Sequence, residues 1–293
     1  MGRTDGKIGE IVIRGLISRF LLTLFLCFCS YTVNAKMVSI KSLKDVQPYV
    51  DEAFKDSAPE EILIAFDIDM TLTQPDHPVT YYPHLKQHID SYKEITSSLG
   101  GLEKDFLLTD LIQNLPQRLI EEDTPLIIKN LQLKGIKTIA FTAVLEKIFD
   151  NKNIKQIRFR TLNSYNISFE SSFNFKEIIL KEISAYNHHH PSYYKGILFS
   201  NGENGSHNKG IVLIEFLKYL PKLPSTIIVV DDKKRNLQEI EHALKHSYPH
   251  IEFIGIEYQG AFDYAPKPIS KKEFEDFWNE RVKQTRFQSI HNC

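Results

Sequence analysis

Five short apolar runs recur along the chain, each followed by polar or charged residues. They are continuously apolar rather than alternating, which is typical of parallel strands that are covered on both faces. The pattern therefore predicts five buried parallel strands: Ile62–Phe66, Thr138–Phe141, Gly196–Phe199, Thr226–Val230 and Ile251–Ile256.

Stretches with helical spacing separate these runs. One begins near Thr124 and Pro125 and stops at Gly135, and two others read KGIVLIEFLKYL and RNLQEIEHALKH. A last helix is predicted from Ser270, because Glu273 follows three residues later and completes a capping box. The alternation of strands and helices predicts an α/β fold with a doubly wound parallel sheet and right-handed crossovers.

Two inserts interrupt this alternation. The first, about residues 75–122, is too long for a loop, and the stretches YYPHLKQHIDSYKEI and EKDFLLTDLIQNLPQRLI favour a mostly helical cap over the sheet's carboxyl edge. The second, about residues 145–193, predicts a helix over SSFNFKEIILKEISAY within polar loop.

The amino terminus has a different composition. Basic residues precede the apolar run FLLTLFLCFC, and Val33 and Ala35 occupy small-residue cleavage positions. This order predicts a signal peptide over residues 1–35 and a mature domain over 36–293 that is exported to the periplasm or secreted. An uncleaved membrane anchor is the alternative. After cleavage no membrane span is expected, and Cys293 is the one remaining cysteine, so no internal disulfide is predicted.

The composition and net charge argue against nucleic acid as a partner. The 293 residues are 42% hydrophobic and 25% charged, with a formal net charge of -1. These are ordinary values for a globular protein, and no basic field favours nucleic acid as a partner. The sequence gives no indication of the oligomeric state.

Candidate chemistry lies where the predicted strands end, since ligands of open α/β sheets bind outside the carboxyl ends of strands. Asp67, Asp69 and Thr71 follow the first run, and Thr142 follows the second. Lys209 opens the helix after the third, and Asp231 and Asp232 follow the fourth.

The four carboxylates of this cluster repel one another. Two unit charges 4 Å apart interact by about 4 kcal/mol at an effective dielectric of 20, so one lysine cannot offset four carboxylates. Protons or a cation must be bound, and an all-oxygen ligand set favours Mg²⁺ over Zn²⁺.

These blocks, in this order, resemble the haloacid dehalogenase (HAD) superfamily of phosphotransferases. The likeness covers about residues 60–258: D-x-D-x-T after a strand, a threonine ending the next, a lysine at a helix start, and an aspartate pair ending a later strand. Within the superfamily the chain is similar to exported bacterial acid phosphatases, and more so to a HAD-like family of secreted bacterial proteins without assigned function.

The resemblance implies a Mg²⁺-dependent phosphatase acting on a small phosphorylated substrate. Asp67 would be the nucleophile that forms an aspartyl-phosphate, and Asp69 the acid and base. Thr142 would hydrogen-bond the phosphoryl group, and Lys209 would neutralise its charge. The metal would be held by Asp67, Asp231, Asp232 and the backbone carbonyl of Asp69. Met70 departs from the family's small residue at that position, which is expected either to narrow the site or to slow turnover.

Other readings stay open at this point. Phosphoryl transfer to an acceptor other than water is one, and a secreted binding or surface module that keeps the fold is another. His188–His190 reads as solvated loop rather than a metal site, and Arg160 as a solvated arginine more than a substrate contact. A third set, Tyr81, Tyr82, His84 and Tyr92, forms either the cap's own core or a surface for the leaving group.

Overall fold

A computed structural model describes residues 35–146, 148–149 and 152–291. The predicted signal peptide, apart from Ala35, and Cys293 lie outside the described residues. The strands are β1 (Lys36–Ile40), β2 (Ile62–Phe66), β3 (Thr73–Pro75), β4 (Gln117–Leu119), β5 (Lys137–Thr142), β6 (Ile148–Phe149), β7 (Lys152–Asn153), β8 (Glu177–Ile179), β9 (Ser192–Tyr194), β10 (Ile197–Phe199), β11 (Thr226–Asp231) and β12 (Glu252–Tyr258). The α-helices are α1 (Gln47–Ala53), α2 (Tyr82–Gln87), α3 (Ile89–Thr96), α4 (Gly101–Asn114), α5 (Thr124–Leu133), α6 (Ile154–Ser164), α7 (Lys209–Leu217), α8 (Lys234–Ser247), α9 (Gly260–Asp263) and α10 (Lys271–His291).

The central sheet has eight strands in the order β1-β12-β11-β2-β5-β10-β9-β8. The six strands from β1 to β10 in this order are parallel to their neighbours, whereas β9 and β8 add an antiparallel edge. The predicted α/β fold class with a doubly wound, mostly parallel sheet is therefore confirmed. All five predicted strands are present, and β1 and the antiparallel edge are additions.

Strand β2 shows why the apolar runs are continuous. Its even-numbered residues Ile62, Ile64 and Phe66 join one hydrophobic cluster, with residues of α1, α5 and α6. Its odd-numbered residues Leu63 and Ala65 join a second cluster, with residues of α7 and α8. Since helices cover both faces, neither side of the strand alternates with polar residues.

The prediction of a helix over residues 171–186 is wrong. That stretch holds a 3-10 turn and β8, and the helix of the second insert is α6, further towards the amino terminus. The rings of Phe173 and Phe175 stack at 5.2 Å, and both pack edge-on against Tyr193 of β9. Alternate phenylalanines on one face are a strand pattern, and this tertiary contact outweighs the helical spacing.

The first insert is helical, as predicted, but its core is shared. Strands β3 and β4 pair at its base, and α2, α3 and α4 lie between them. Val79, Leu99 and Leu107 pack against Phe274 and Trp278 of α10, so the last helix completes the core of the insert. Tyr92 lies in this core, with its ring 4.7 Å from that of Trp278.

The direction in which strands are added to the sheet reverses next to β2, and this reversal determines where the site lies. The connections run from β2 outward to β5 and β10, then return to β11 and β12 on the other side of β2. The order of strands therefore reverses between β2 and β11, and a crevice forms at the carboxyl ends on such a switch point. Within the described residues, no helix is both long and apolar enough to cross a membrane.

Candidate active site

The loop after β2 presents Asp67 at the switch point. The Asp67 N–H donates to the carbonyl of Val230 at 2.8 Å, which extends the pairing of β2 with β11 by one residue. Met70 adopts a left-handed conformation with φ of 66°, and the Thr73 N–H returns to the carbonyl of Ile68 at 2.9 Å. This tight turn ends the strand and leaves the carboxylate of Asp67 at the edge of the sheet.

Met70, which was expected to narrow the site, has a left-handed backbone conformation. Its side chain is buried in the hydrophobic cluster on one face of the sheet. The bulk of Met70 therefore belongs to the core.

Lys209 is the buried cation of the site. Its Nζ lies 2.6 Å from Asp67 Oδ1, 2.7 Å from Asp231 Oδ2 and 2.8 Å from the carbonyl oxygen of Phe141. An ammonium group has three donors, so all three are used. Lys209 is 1% exposed, and it begins α7 directly below the crevice.

A glycine lets α7 come close enough for this contact. A Cβ at Gly210 would meet the backbone carbonyl of Glu239 in α8. Because Gly210 has no side chain, helices α7 and α8 can pack closely at this point. This close packing places Lys209, the residue before Gly210, at the edge of the sheet.

Asp231 is held by further donors that sequence reasoning missed. Its Oδ1 accepts the Lys233 N–H at 2.8 Å, and Nδ2 of Asn236 lies 3.0 and 3.1 Å from its two carboxylate oxygens. Asp231 and Asn236 are both buried. The only signal in the sequence was the position of Asn236 one turn into the helix that follows Asp231.

Three of the predicted carboxylates converge. Asp67, Asp231 and Asp232 each offer a carboxylate oxygen within 4.8 Å of the other two. This grouping of oxygen donors, of which Asp67 and Asp231 are buried and Asp232 is half-buried, fits a hard divalent cation such as Mg²⁺. The residues that the sequence assigned to the metal are thus brought together, except for the side chain of Asp69, whose expected contribution was a backbone carbonyl.

The electrostatics of the cluster also fit a bound cation. Burial raises the pKa of Asp67 well above its usual range, and the neighbouring carboxylates add to this while Lys209 opposes it. Burial and Asp231 raise the pKa of Asp232 to about 7. Burial disfavours the ammonium of Lys209, but Asp231 and Asp67 outweigh it and raise its pKa. The lysine therefore stays charged and cannot by itself neutralise three carboxylates.

Asp69 pairs with an arginine of the second insert. Nη2 of Arg158 lies 3.0 Å from both Asp69 carboxylate oxygens. Arg158 comes from α6 in the second insert, and sequence reasoning did not identify it. Arg160, which was considered, is exposed.

Thr142 ends β5 beside this loop. Ala140 is in register with Phe66, so Thr142 is level with the turn that follows β2. It is 1% exposed, and its Oγ1 accepts the Val144 N–H at 3.2 Å. The residue thus lies at the predicted edge, and its contact with a phosphoryl group stays a prediction.

The remaining candidates lie at the rim or away from it. Lys233 pairs with Glu203, and the ring of Tyr82, from the insert, lies 6.0 Å from Lys233 Nζ. Tyr81, in contrast, is buried, and its hydroxyl donates a hydrogen bond to the carbonyl of Ala261. In the histidine run, which was predicted to be a solvated loop, His188 is exposed, His189 and His190 are half-buried, and His190 forms a hydrogen bond with the carbonyl of Ile183.

Fold and site together define a doubly wound α/β protein with an acidic cluster at the switch point of its sheet. A family model described as "Protein of unknown function (DUF2608)" matches residues 39–289, and the chain belongs to this family.

Its relatives include uncharacterized proteins of three Rickettsia species. One from Rickettsia bellii (strain RML369-C) is 23% identical over 83% of this chain and 84% of its own length. One from Rickettsia prowazekii (strain Madrid E) is 25% identical over 82% of each chain, and one from Rickettsia felis (strain ATCC VR-1525 / URRWXCal2) is 24% identical over 81% of each.

Among solved structures, the HAD domain of the effector protein Lem4 from Legionella pneumophila, an inactive mutant, is similar at 10% identity. The match has a TM-score of 0.34 and covers 78% of this chain and 97% of that domain. A likeness at this level says nothing about the chemistry of this chain.

Proposed function

We propose that this protein is an exported, Mg²⁺-dependent phosphomonoester hydrolase of the HAD type. The observation that carries the proposal is the position of Lys209, whose ammonium joins the carboxylates of Asp67 and Asp231 at 2.6 and 2.7 Å in the crevice. Two acids and a lysine from three separate segments meet there with a third acid, Asp232, beside them.

The residues would act in two half-reactions. An oxygen of Asp67 forms a bond to phosphorus as the ester bond breaks, and the leaving oxygen takes a proton from Asp69. Asp69 then takes a proton from water, whose oxygen bonds to phosphorus as the bond to Asp67 breaks. An alcohol and inorganic phosphate are the products, and Asp67 and Asp69 return to their starting states.

Lys209 and the metal would both supply positive charge beside the phosphoryl group. Lys209 holds Asp67 by one oxygen and places a positive charge beside the reacting group. Asp67, Asp231 and Asp232 would hold Mg²⁺, which supplies charge neutralisation for the phosphoryl oxygens when bound. Thr142 would donate a hydrogen bond to the same oxygens.

The substrate is proposed to be a small phosphomonoester, and the site of action to be outside the cytoplasm. Export rests on the signal-peptide pattern of residues 1–35. The insert places the partly exposed ring of Tyr82 near Lys233 at the rim, where it would contact the organic part of a substrate.

The test is hydrolysis of p-nitrophenyl phosphate by the purified protein. We expect activity with Mg²⁺, loss of activity with EDTA, and recovery when Mg²⁺ is restored in excess. Asp67→Asn keeps the shape of the side chain but replaces the nucleophilic carboxylate by a neutral amide. Turnover is therefore expected to fall by at least about 10³-fold. A variant with the wild-type rate would refute the assignment of the nucleophile. Alcohol acceptors added to the same assay distinguish transfer from hydrolysis.

A further inference from the structure

An arginine of the second insert is buried against the catalytic loop. Arg158 is 7% exposed and is one of the buried residues of helix α6. The same face of α6 carries Ile154 and Leu162, which are also buried. The guanidinium is therefore fixed by packing of the helix on the sheet rather than held loosely at the surface.

The carboxylate it contacts is more accessible than the arginine. The side chain of Asp69 is 45% exposed and that of Arg158 is 9% exposed. A single nitrogen, Nη2, lies 3.0 Å from both Asp69 oxygens. A buried charge is retained where it is paired, and here the partner is a carboxylate that is partly exposed to solvent. The geometry is that of a fixed support behind a group that meets the substrate.

We propose that Arg158 is the positioning residue of Asp69. This inference rests on the proposed function, in which the proton of Asp69 passes to the leaving oxygen as the bond from phosphorus to that oxygen breaks. Arg158 keeps its own protons and touches no reacting atom. It holds the Asp69 carboxyl group in the direction of the leaving oxygen, and the second insert thereby contributes to catalysis.

A positioning role of this kind depends on the leaving group. A p-nitrophenolate is a stable anion and leaves with little help from an acid, whereas phenolate requires more protonation in the transition state. Loss of the correct Asp69 orientation should therefore slow phenyl phosphate more than p-nitrophenyl phosphate. A purely structural role of Arg158 would lower both rates by the same factor.

The experiment compares kcat/KM for phenyl and p-nitrophenyl phosphate in the full-length protein with Mg²⁺. This parameter reports the steps up to release of the phenol, so the second half-reaction does not enter. In Arg158→Gln we expect the phenyl to p-nitrophenyl ratio to fall at least about tenfold. Arg158→Lys restores the charge with a different geometry and should give a ratio between that of the glutamine variant and that of the wild type.

Arg160→Gln is the matched control, because Arg160 lies on the same helix and is exposed. Its ratio should stay within about twofold of wild type. Thermal unfolding shows whether each variant is folded. Should Arg158→Gln not fold, Arg158→Lys decides alone: a ratio at least about threefold lower supports the role.

An unchanged ratio in a folded Arg158 variant, or an equal fall in Arg160→Gln, would overturn the inference. If the wild type hydrolyses neither ester, the proposed function itself fails. If the wild type hydrolyses both and the ratio does not respond to Arg158, only the positioning role fails.

Discussion

Lys209 shows at the scale of one residue how a charge is placed in a buried site. Its ammonium is neutralised by Asp67 and Asp231 and also meets the carbonyl of Phe141. Desolvation of such a group is costly, and the two carboxylates together with the carbonyl compensate for it. The same carboxylates depend on the lysine, since they are buried as well.

Replacing Lys209 by methionine should therefore cost both stability and activity. The change keeps an unbranched side chain of similar shape but removes the ammonium, so Asp67 and Asp231 stay buried without their cation. Breaking a buried pair in this way typically costs about 3–5 kcal/mol. We expect a lower midpoint in urea unfolding at neutral pH, and loss of phosphatase turnover.

Lys234→Met is the control, because Lys234 is exposed one residue into α8. Its unfolding midpoint should match wild type. Equal midpoints for Lys209→Met and Lys234→Met would contradict a stabilising role for the buried triad.

At the scale of elements, the close contact between α7 and α8 carries Lys209 to the sheet. In Gly210→Ala the new Cβ would meet the carbonyl of Glu239, so one helix must move. Overpacking typically costs about 1–3 kcal/mol, and the gain of about 1 kcal/mol in helix propensity offsets part of it. We expect a lower unfolding midpoint together with a lower kcat, since Lys209 moves with its helix.

Ile211→Ala is the comparison for this prediction. Ile211 is the next residue of α7 and is 42% exposed, so its truncation should leave kcat unchanged. A Gly210→Ala variant that keeps wild-type kcat would show that the approach of the two helices does not position Lys209.

Elements also show what the sequence can and cannot predict. The five central strands are evident because burial on both faces leaves no polar alternation. The edge strands β1 and β8, and β9 next to β8, are short and mix polar with apolar residues, so their pairing depends on tertiary contacts that no local pattern contains. The wrong helix over residues 171–186 arose because a short apolar run such as EIIL is ambiguous between the two periods.

The candidate site is predictable to a similar extent and for a similar reason. Asp67, Lys209, Asp231 and Asp232 each follow or begin an element whose type was evident, so topology alone brings them to one edge. Arg158 reaches Asp69 from 89 residues further along the chain. Its importance rests on the path of α6, and nothing in its local sequence indicates it.

At the scale of the whole molecule, the acidic cluster links stability to pH and metal. Burial and Asp231 raise the pKa of Asp232 from 3.8 to about 7. The unfolded chain loses this proton near its ordinary pKa, while the metal-free folded protein keeps it until about pH 7. Raising the pH from about 4 to 7 therefore favours the unfolded state, and Asp67 acts in the same direction.

Mg²⁺ binding requires ionised carboxylates, so the metal should reverse this loss of stability. We expect the metal-free Tm to fall from pH 5 to pH 8, and the rise in Tm on adding Mg²⁺ to be larger at pH 8. Asp232→Asn should weaken both effects. A Mg²⁺-induced rise of the same size at pH 5 and pH 8 would contradict a metal site built from these acids.

The most direct test of the central claim is to look for the phosphoryl group on Asp67. In Asp69→Asn the second half-reaction loses its base, so the phosphoenzyme should accumulate when the variant is mixed with p-nitrophenyl phosphate and Mg²⁺. After acid quenching, peptide mass spectrometry should find one added phosphoryl group on the peptide that contains Asp67, and none in the Asp67→Asn, Asp69→Asn double variant. A phosphoryl group on another residue, or none despite p-nitrophenol release, would contradict the proposed mechanism.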